Sequence, residues 1–220
     1  NEEFTKHYKR VFVPTAVGDE GQSLGNYQHA FYVLNKMKVK ADEFGGKEYH
    51  YKGGSRDWNK KEIAQAIADG TIVGWFRGKS ESGNRALGNR SILADPRRKD
   101  IKDVINSTIK MREDFRPFAP VVLEEHLDNY FDTIGGPSSH MSRIVKVVED
   151  KKSIVPGITH IDGTARIQTV GRPGMPDIYD LVDEFYKITG VPMLLNTSFN
   201  CREPIVETPE DAIRTFEKTA

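Results

Sequence analysis

Residues 77–98, RGKSESGNRALGNRSILADPRR, gather six basic side chains (Arg77, Lys79, Arg85, Arg90, Arg97, Arg98) against two acids (Glu81, Asp95), a local charge of six minus two, +4. The whole chain carries 32 residues of each sign and sums to zero. Guanidinium groups fork onto phosphate or carboxylate oxygens in a way that ammonium groups cannot. Arg85 and Arg90 are separated partly by Ala86, Leu87 and Gly88, which do not compete for an anion. On charge alone two readings stand: an anion-holding loop, or a solvated basic surface. Arg90 carries a further alternative, that it pins the loop by donating to backbone carbonyls.

Three more groups of chemistry-bearing residues follow. In KMREDFRPFAP (110–120), Lys110, Arg112 and Arg116 leave the end of a helical pattern within one short span. Cations there also complement a helix C-terminus, and Arg112 is read that way, whereas Lys110 and Arg116 flank a turn fixed by Pro117. In HIDGTARIQTVG (160–171), the Asp162-Gly163 turn feeds a strand on which Arg166 and Gln168 share a face. His160 and Asp162 could form a metal or acid–base pair, but without a third partner Asp162 reads better as a turn cap. In LLNTSFNCREPI (194–205), an apolar strand runs into Asn196, Thr197, Ser198 and Asn200, and the ends of strands are where α/β folds place ligands. Cys201 has no histidine near it in sequence and reads as passive. Asp19, in GDEG after an apolar run, is either a metal or phosphate contact or a plain N-cap. The sequence has no P-loop, no GxSxG and no HExxH.

The elements that must position these residues come next. Val11–Val17 reads as a buried strand, Gly18–Gly25 as a turn, and residues 22–37 as a helix with Leu24, Tyr27, Phe31 and Leu34 on one stripe. The polar, Gly- and Lys-rich stretch 38–59 reads as a linker or loop. Further helices are expected over Asn59–Ala68, Asp100–Arg112, Pro176–Thr189 and Pro209–Lys218, the last capped by Thr208. Strands are expected over Thr71–Arg77, Pro117–Glu124, Arg143–Val148, Thr164–Val170 and Val191–Leu195. The order gives an α/β chain of mixed (α+β) type.

Bulk properties limit the function. A chain of 220 residues can bury roughly 70% of its unfolded surface. Neutral net charge argues against non-specific nucleic-acid binding as the main activity. One cysteine excludes an internal disulfide and fits a reducing, cytoplasmic compartment. No apolar run is long enough to span a bilayer, and no signal peptide or membrane partner is expected. The absence of an initial Met suggests a processed or partial chain.

Together the strings ESGNRALGNRSILADPR, KMREDFRPFAP, HIDGTARIQTVGR and LNTSFNCREPIVETPEDAIRTF resemble, in order and spacing, the C-terminal part of the O-carbamoyltransferases of nodulation and antibiotic biosynthesis. The resemblance runs from about Ile72 to the end. It implies a YrdC-like twisted mixed sheet with flanking helices over residues 41–220, making carbamoyl-adenylate from carbamoyl phosphate and ATP. VFVPTAVGDEGQSLGNYQHAFY (11–32) resembles the end of the family's ASKHA-like first domain, which transfers the carbamoyl group to an acceptor hydroxyl, and residues 1–40 are assigned to it. There the resemblance makes Asp19 a ligand of a divalent metal such as Fe²⁺, with its histidine partners absent from this chain. It also makes Arg85, Lys110 and Arg116 catalytic. Phosphate contacts fall to Arg85, Lys110, Arg116 and Arg166, with Arg90 second in rank. Ser198, Asn196 and Asn200 hold the carbamoyl group or the nucleotide phosphates. Mg²⁺ is expected to travel with ATP. The expected partners are small molecules, a homodimer is the assembly considered, and a YrdC-like RNA- or nucleotide-binding module without turnover is the alternative.

Overall fold

The computed structural model describes residues 33–34, 59–81, 83–134 and 136–219. The strand read at Val11–Val17, the Gly18–Gly25 turn, residues 38–58 and Asp19 lie outside the described residues. Of the helix read over 22–37, only Val33 and Leu34 are described, and both are helical.

Helix α1 (Lys60–Ala68) starts where the Asn59 side chain accepts from the Glu62 N–H, and it buries Ala64 and Ile67. Strand β1 (Val73–Phe76) follows, then β2 (Arg90–Ala94). Helix α2 (Ile101–Val104) passes into a π-helical turn, Ile105–Lys110, ended by Met111 in the left-handed region. Then come β3 (Ala119–Leu123), the short α3 (Leu127–Tyr130), β4 (Phe131–Asp132), β5 (Arg143–Val147) and β6 (Thr164–Val170). Helix α4 (Pro176–Thr189), β7 (Met193–Ser198) and α5 (Pro209–Thr219) complete the chain.

The strands form one seven-stranded sheet in the order β1-β2-β7-β3-β6-β5-β4. Only β3 and β6 pair in parallel, and the rest pair antiparallel. Every residue of β2 and β3 is buried, whereas β5 alternates buried and exposed, as expected of strands covered on both faces and on one. The α4 stripe of Ile178, Leu181, Val182 and Phe185 is buried, and α4 packs on β3, β7 and α1. Gly190 stops α4 at φ +73, with its N–H on the Tyr186 carbonyl. At the start of α5 the Thr208 hydroxyl accepts from the Asp211 N–H while the Asp211 carboxylate accepts from the Thr208 N–H, a reciprocal cap of the kind that satisfies orphan donors.

The short α3 and β4 are absent from the sequence expectation, which differs from the structure elsewhere too. Strand β2 (RSILA) lies inside the basic segment and opens with Arg90 and Ser91, so it shows no alternation to read although all five residues are buried. The Asp100–Arg112 helix stops at Lys110, because Met111 (φ 46, ψ 52) turns the chain. Strand β7 extends through Thr197 to Ser198, since Asn196, Thr197 and Ser198 keep their register against β2.

Candidate anion-binding active site

One end of the sheet collects the chemistry. Ser198 closes β7 opposite Ser91 at the start of β2, and Asn196 faces Ala119 at the start of β3. Arg166 lies near the start of β6, the parallel neighbour of β3. The residues just before β3, including Arg112 and Arg116, reach the same end.

Lys110 is buried. Its ammonium donates to the Ser198 carbonyl, to Ser198 Oγ at 3.1 Å, and to the Asn200 carbonyl and Oδ1 at 2.9 and 2.7 Å. Ser198 Oγ also donates to Asn200 Oδ1 at 2.7 Å, and Asn200 Nδ2 to the Glu203 carbonyl. Burial, then the Arg112 guanidinium, pull Lys110 down to about 7, against the pull of Cys201 and Glu203. Lys110 and the Ser198–Asn200 pair, read in two separate segments of the sequence, thus form one hydrogen-bonded unit.

Arg166 is the centre of the positive field. Burial, then Arg85 and Arg112, lower it to about 10. Its Nε is buried with no hydrogen-bond partner among the described residues. Such an orphaned charged donor is expensive unless an anion meets it. Arg112 is lowered by burial and by Arg116, with Glu113 acting against them. Its guanidinium lies 4.9 Å over the Phe118 ring, and its Nε donates to Asn106 Oδ1 at 2.7 Å. Arg116 is half exposed, with Glu113 at 3.9 Å. Arg85 is exposed, and among the described residues its side chain has no hydrogen bond or ion pair.

The remaining arginines of the basic segment serve the fold. Arg77 pairs with Asp177 at 2.9 Å. Arg97 is held by Asp95 through Nε at 3.0 Å and a terminal nitrogen at 2.6 Å, and Arg98 pairs with Asp100 at 2.6 Å. Arg90 is wholly buried. It donates to the carbonyls of Arg77, Asn89 and Gly78 and stacks 3.6 Å from the Phe76 ring centre. This is the pinning arrangement, with the guanidinium directed at carbonyls.

Asn196 also sits behind the site. It is 1% exposed, donates to the Ala86 carbonyl at 3.2 Å and to Gln168 Oε1 at 2.7 Å, and keeps a buried Oδ1 without a partner among the described residues. Gln168 Nε2 donates to the Leu87 carbonyl at 2.5 Å. This amide pair therefore clamps the two carbonyls that follow Arg85. Sequence reading had not given Gln168 a role in the site. It had assigned Arg112 to the helix end, although three cations in seven residues were the available signal.

A cavity of about 430 Å³ lies against Arg85, Arg90 and Asn200, with Asn84 and Glu207 on its wall. Cavities of about 660 and 690 Å³ open elsewhere, beside Glu124 and beside Lys146. They touch none of the convergent cations, so charge rather than size locates the site. His160 shares a hydrogen bond with Thr164 Oγ1, and Asp162 accepts from the Thr164 N–H and hydroxyl, the turn-capping arrangement. Among the described residues, no group of three His, Cys, Asp or Glu side chains could hold a metal ion. No helix there is long and apolar enough to cross a membrane.

Comparisons place the chain among known proteins. The family model described as "Carbamoyltransferase C-terminus" matches residues 64–220. The nodulation protein NolO of Bradyrhizobium diazoefficiens is 44% identical over 202 residues, 90% of this chain and 35% of that protein. The 3'-hydroxymethylcephem-O-carbamoyltransferase of Streptomyces clavuligerus is 34% identical over 203 residues, 88% of this chain and 38% of that enzyme. The chain thus spans little more than a third of these relatives. Among solved structures, full-length HypF in a phosphate- and nucleotide-bound form superposes with a TM-score of 0.51 at 19% identity, over 83% of this chain and 22% of HypF. That likeness concerns the fold. The family match covers well over half of the chain and includes the segments that build the cationic end of the sheet. The chain belongs to the carbamoyltransferase C-terminal family.

Proposed function

We propose that this chain is the adenylate-forming part of an ATP-dependent O-carbamoyltransferase. The observation that carries the reading is the convergence of Arg85, Lys110, Arg112, Arg116 and Arg166 at one end of the sheet, with Arg166 Nε buried and without a hydrogen-bond partner among the described residues. Such a cluster suits a polyphosphate. The residues do little covalent chemistry, and their contribution is positioning and charge neutralisation.

In this reading water cleaves carbamoyl phosphate to carbamate and inorganic phosphate. A carbamate oxygen then bonds to the α-phosphorus of ATP as the bond to pyrophosphate breaks. Arg85, Arg112 and Arg166 take the charge of the leaving pyrophosphate. Lys110, held by Ser198 and Asn200, faces the carbamoyl end, and Arg116 closes the cluster from the turn. Mg²⁺ arrives on the nucleotide. The acceptor is a hydroxyl, as the cephem relative's name suggests. Its transfer belongs to an ASKHA-like domain whose end is residues 1–40, with Asp19 on its metal, and residues 41–220 are the YrdC-like domain. The protein acts on small molecules in the cytoplasm, with a homodimer as its assembly.

The test is carbamoyl-phosphate-dependent exchange of labelled pyrophosphate into ATP without acceptor. Exchange is expected, and Lys110→Ala or Arg85→Ala should lower it by at least ~10²-fold, as removal of other oriented charge contacts does. Unchanged exchange in both variants would sink the site assignment. Salt-dependent RNA binding without exchange would favour a binding module instead.

A further inference from the structure

Asn106 is a polar side chain placed on a helix between Ile105 and Ile109, and it is wholly buried. A lone buried amide needs partners for every group it carries, and Asn106 finds them all on one turn. Nδ2 donates to the Asp114 carbonyl at 3.2 Å and to the Arg116 carbonyl at 3.0 Å. Oδ1 accepts from Arg112 Nε at 2.7 Å. The Asn106 carbonyl accepts from the N–H groups of both Met111 and Arg112. The helix is opened to π geometry in that same turn, and Met111 takes a left-handed conformation that non-glycine residues seldom adopt. π-Turns and left-handed residues of this kind persist where surrounding contacts over-determine them, often at functional sites. Here the contacts that do so converge on Asn106.

We propose that Asn106 is a positioning residue of the anion site, acting through Arg112 and the 111–116 turn. The amide fixes Arg112 Nε, which leaves both terminal guanidinium nitrogens, without hydrogen-bond partners among the described residues, for the ligand. Its two donated bonds set the carbonyl path of the turn and so the place where Arg116 leaves it. The inference rests on the anion-site reading above and extends it to a residue that touches no ligand.

The test is pyrophosphate binding to the full chain by titration calorimetry, with folding checked by circular dichroism. Wild-type protein is expected to bind pyrophosphate, and failure to bind overturns the anion-site reading, and this inference with it. Arg112→Ala and Asn106→Ala should each weaken binding roughly tenfold, the scale of one charge-assisted hydrogen bond. The double variant should be little weaker than either single one, since both remove the same arrangement. A fully additive cycle, or a folded Asn106→Ala protein with wild-type affinity, overturns the proposal while leaving the anion site intact. Arg112→Lys keeps the charge but lacks the Nε–H that Asn106 accepts. It should lose about as much as Arg112→Ala, and wild-type affinity in Arg112→Lys overturns the proposal even if the Asn106 variants do not fold.

Discussion

Replacing Lys110 with methionine should change how stability depends on pH, by an amount that the structure sets. The unfolded lysine titrates near 10.5 and the folded one near 7, chiefly because of burial. Between those values the unfolded chain holds a proton that the folded chain has released, so stability rises with pH at up to about 1.4 kcal/mol per pH unit. Below about pH 7 both states are protonated and the full penalty is present. Above about pH 10.5 both are neutral and it is gone. From pH 7 to pH 9 the gain works out to about 2 kcal/mol. Methionine has a similar length and no charge, so the variant lacks this contribution. Urea unfolding of both proteins at pH 6, 7, 8 and 9 gives the difference directly, because all other titrations cancel to first order. Wild type minus Lys110→Met should be level from pH 6 to 7 and then climb by about 2 kcal/mol by pH 9. A flat difference would refute the reasoning. It would mean that the four oxygens around the ammonium, from Ser198 and Asn200, outweigh its burial and keep it charged throughout. A bound anion works in the same direction as those oxygens, so saturating pyrophosphate should flatten the wild-type curve.

Other consequences are independent of that titration. Pyrophosphate at about 100 times its Kd should raise wild-type stability by about 2.7 kcal/mol in thermal unfolding, and Arg166→Ala should abolish the rise; an equal rise in the variant would remove Arg166 from the site. Gln168→Leu strips the Leu87 carbonyl of its donor and Asn196 of its acceptor; KM for ATP in pyrophosphate exchange should rise about fivefold with kcat changed less, about the loss of one hydrogen bond, and an unchanged KM would show that the loop needs no clamp. Gly88 sits at φ +116, and an added Cβ would lie 3.2 Å from the Ile178 side chain. Gly88→Ala should therefore cost about 2 kcal/mol and lower Tm by roughly 5 °C, and an unshifted Tm would show that the turn relaxes freely.

Much of the fold was legible because its signals are local. The α4 stripe between Pro176 and Thr189 is read from spacing and the Thr208 cap from residue type, whereas Asn59, read as the first residue of its helix, is its cap. Strand β2 was hidden because a strand buried on both faces has no alternation, and its first residue is an arginine. The π-turn from Ile105 to Lys110 was hidden for a different reason: hydrophobic spacing gives the buried stripe but not the hydrogen-bond register of the backbone.

The sequence by itself determined which segments carry charge and polar groups, the family to which their order belongs, and the candidacy of Lys110, Ser198 and Asn200. What it left open was which arginines have their donors met by the protein: Arg90 kept two alternatives, and Arg112 was read as a helix-end cation. Arg85 and Arg90 stand five residues apart in the same segment with identical chemistry and line the same cavity, yet Arg85 is exposed while Arg90 is wholly buried, stacked on Phe76 with its terminal nitrogens on three carbonyls. Arg112 and Arg166 likewise become partners only because the start of β6 and the turn before β3 meet at one end of the sheet. A guanidinium's role depends on whether its donors are met by the protein or left for a ligand, and long-range contacts decide that.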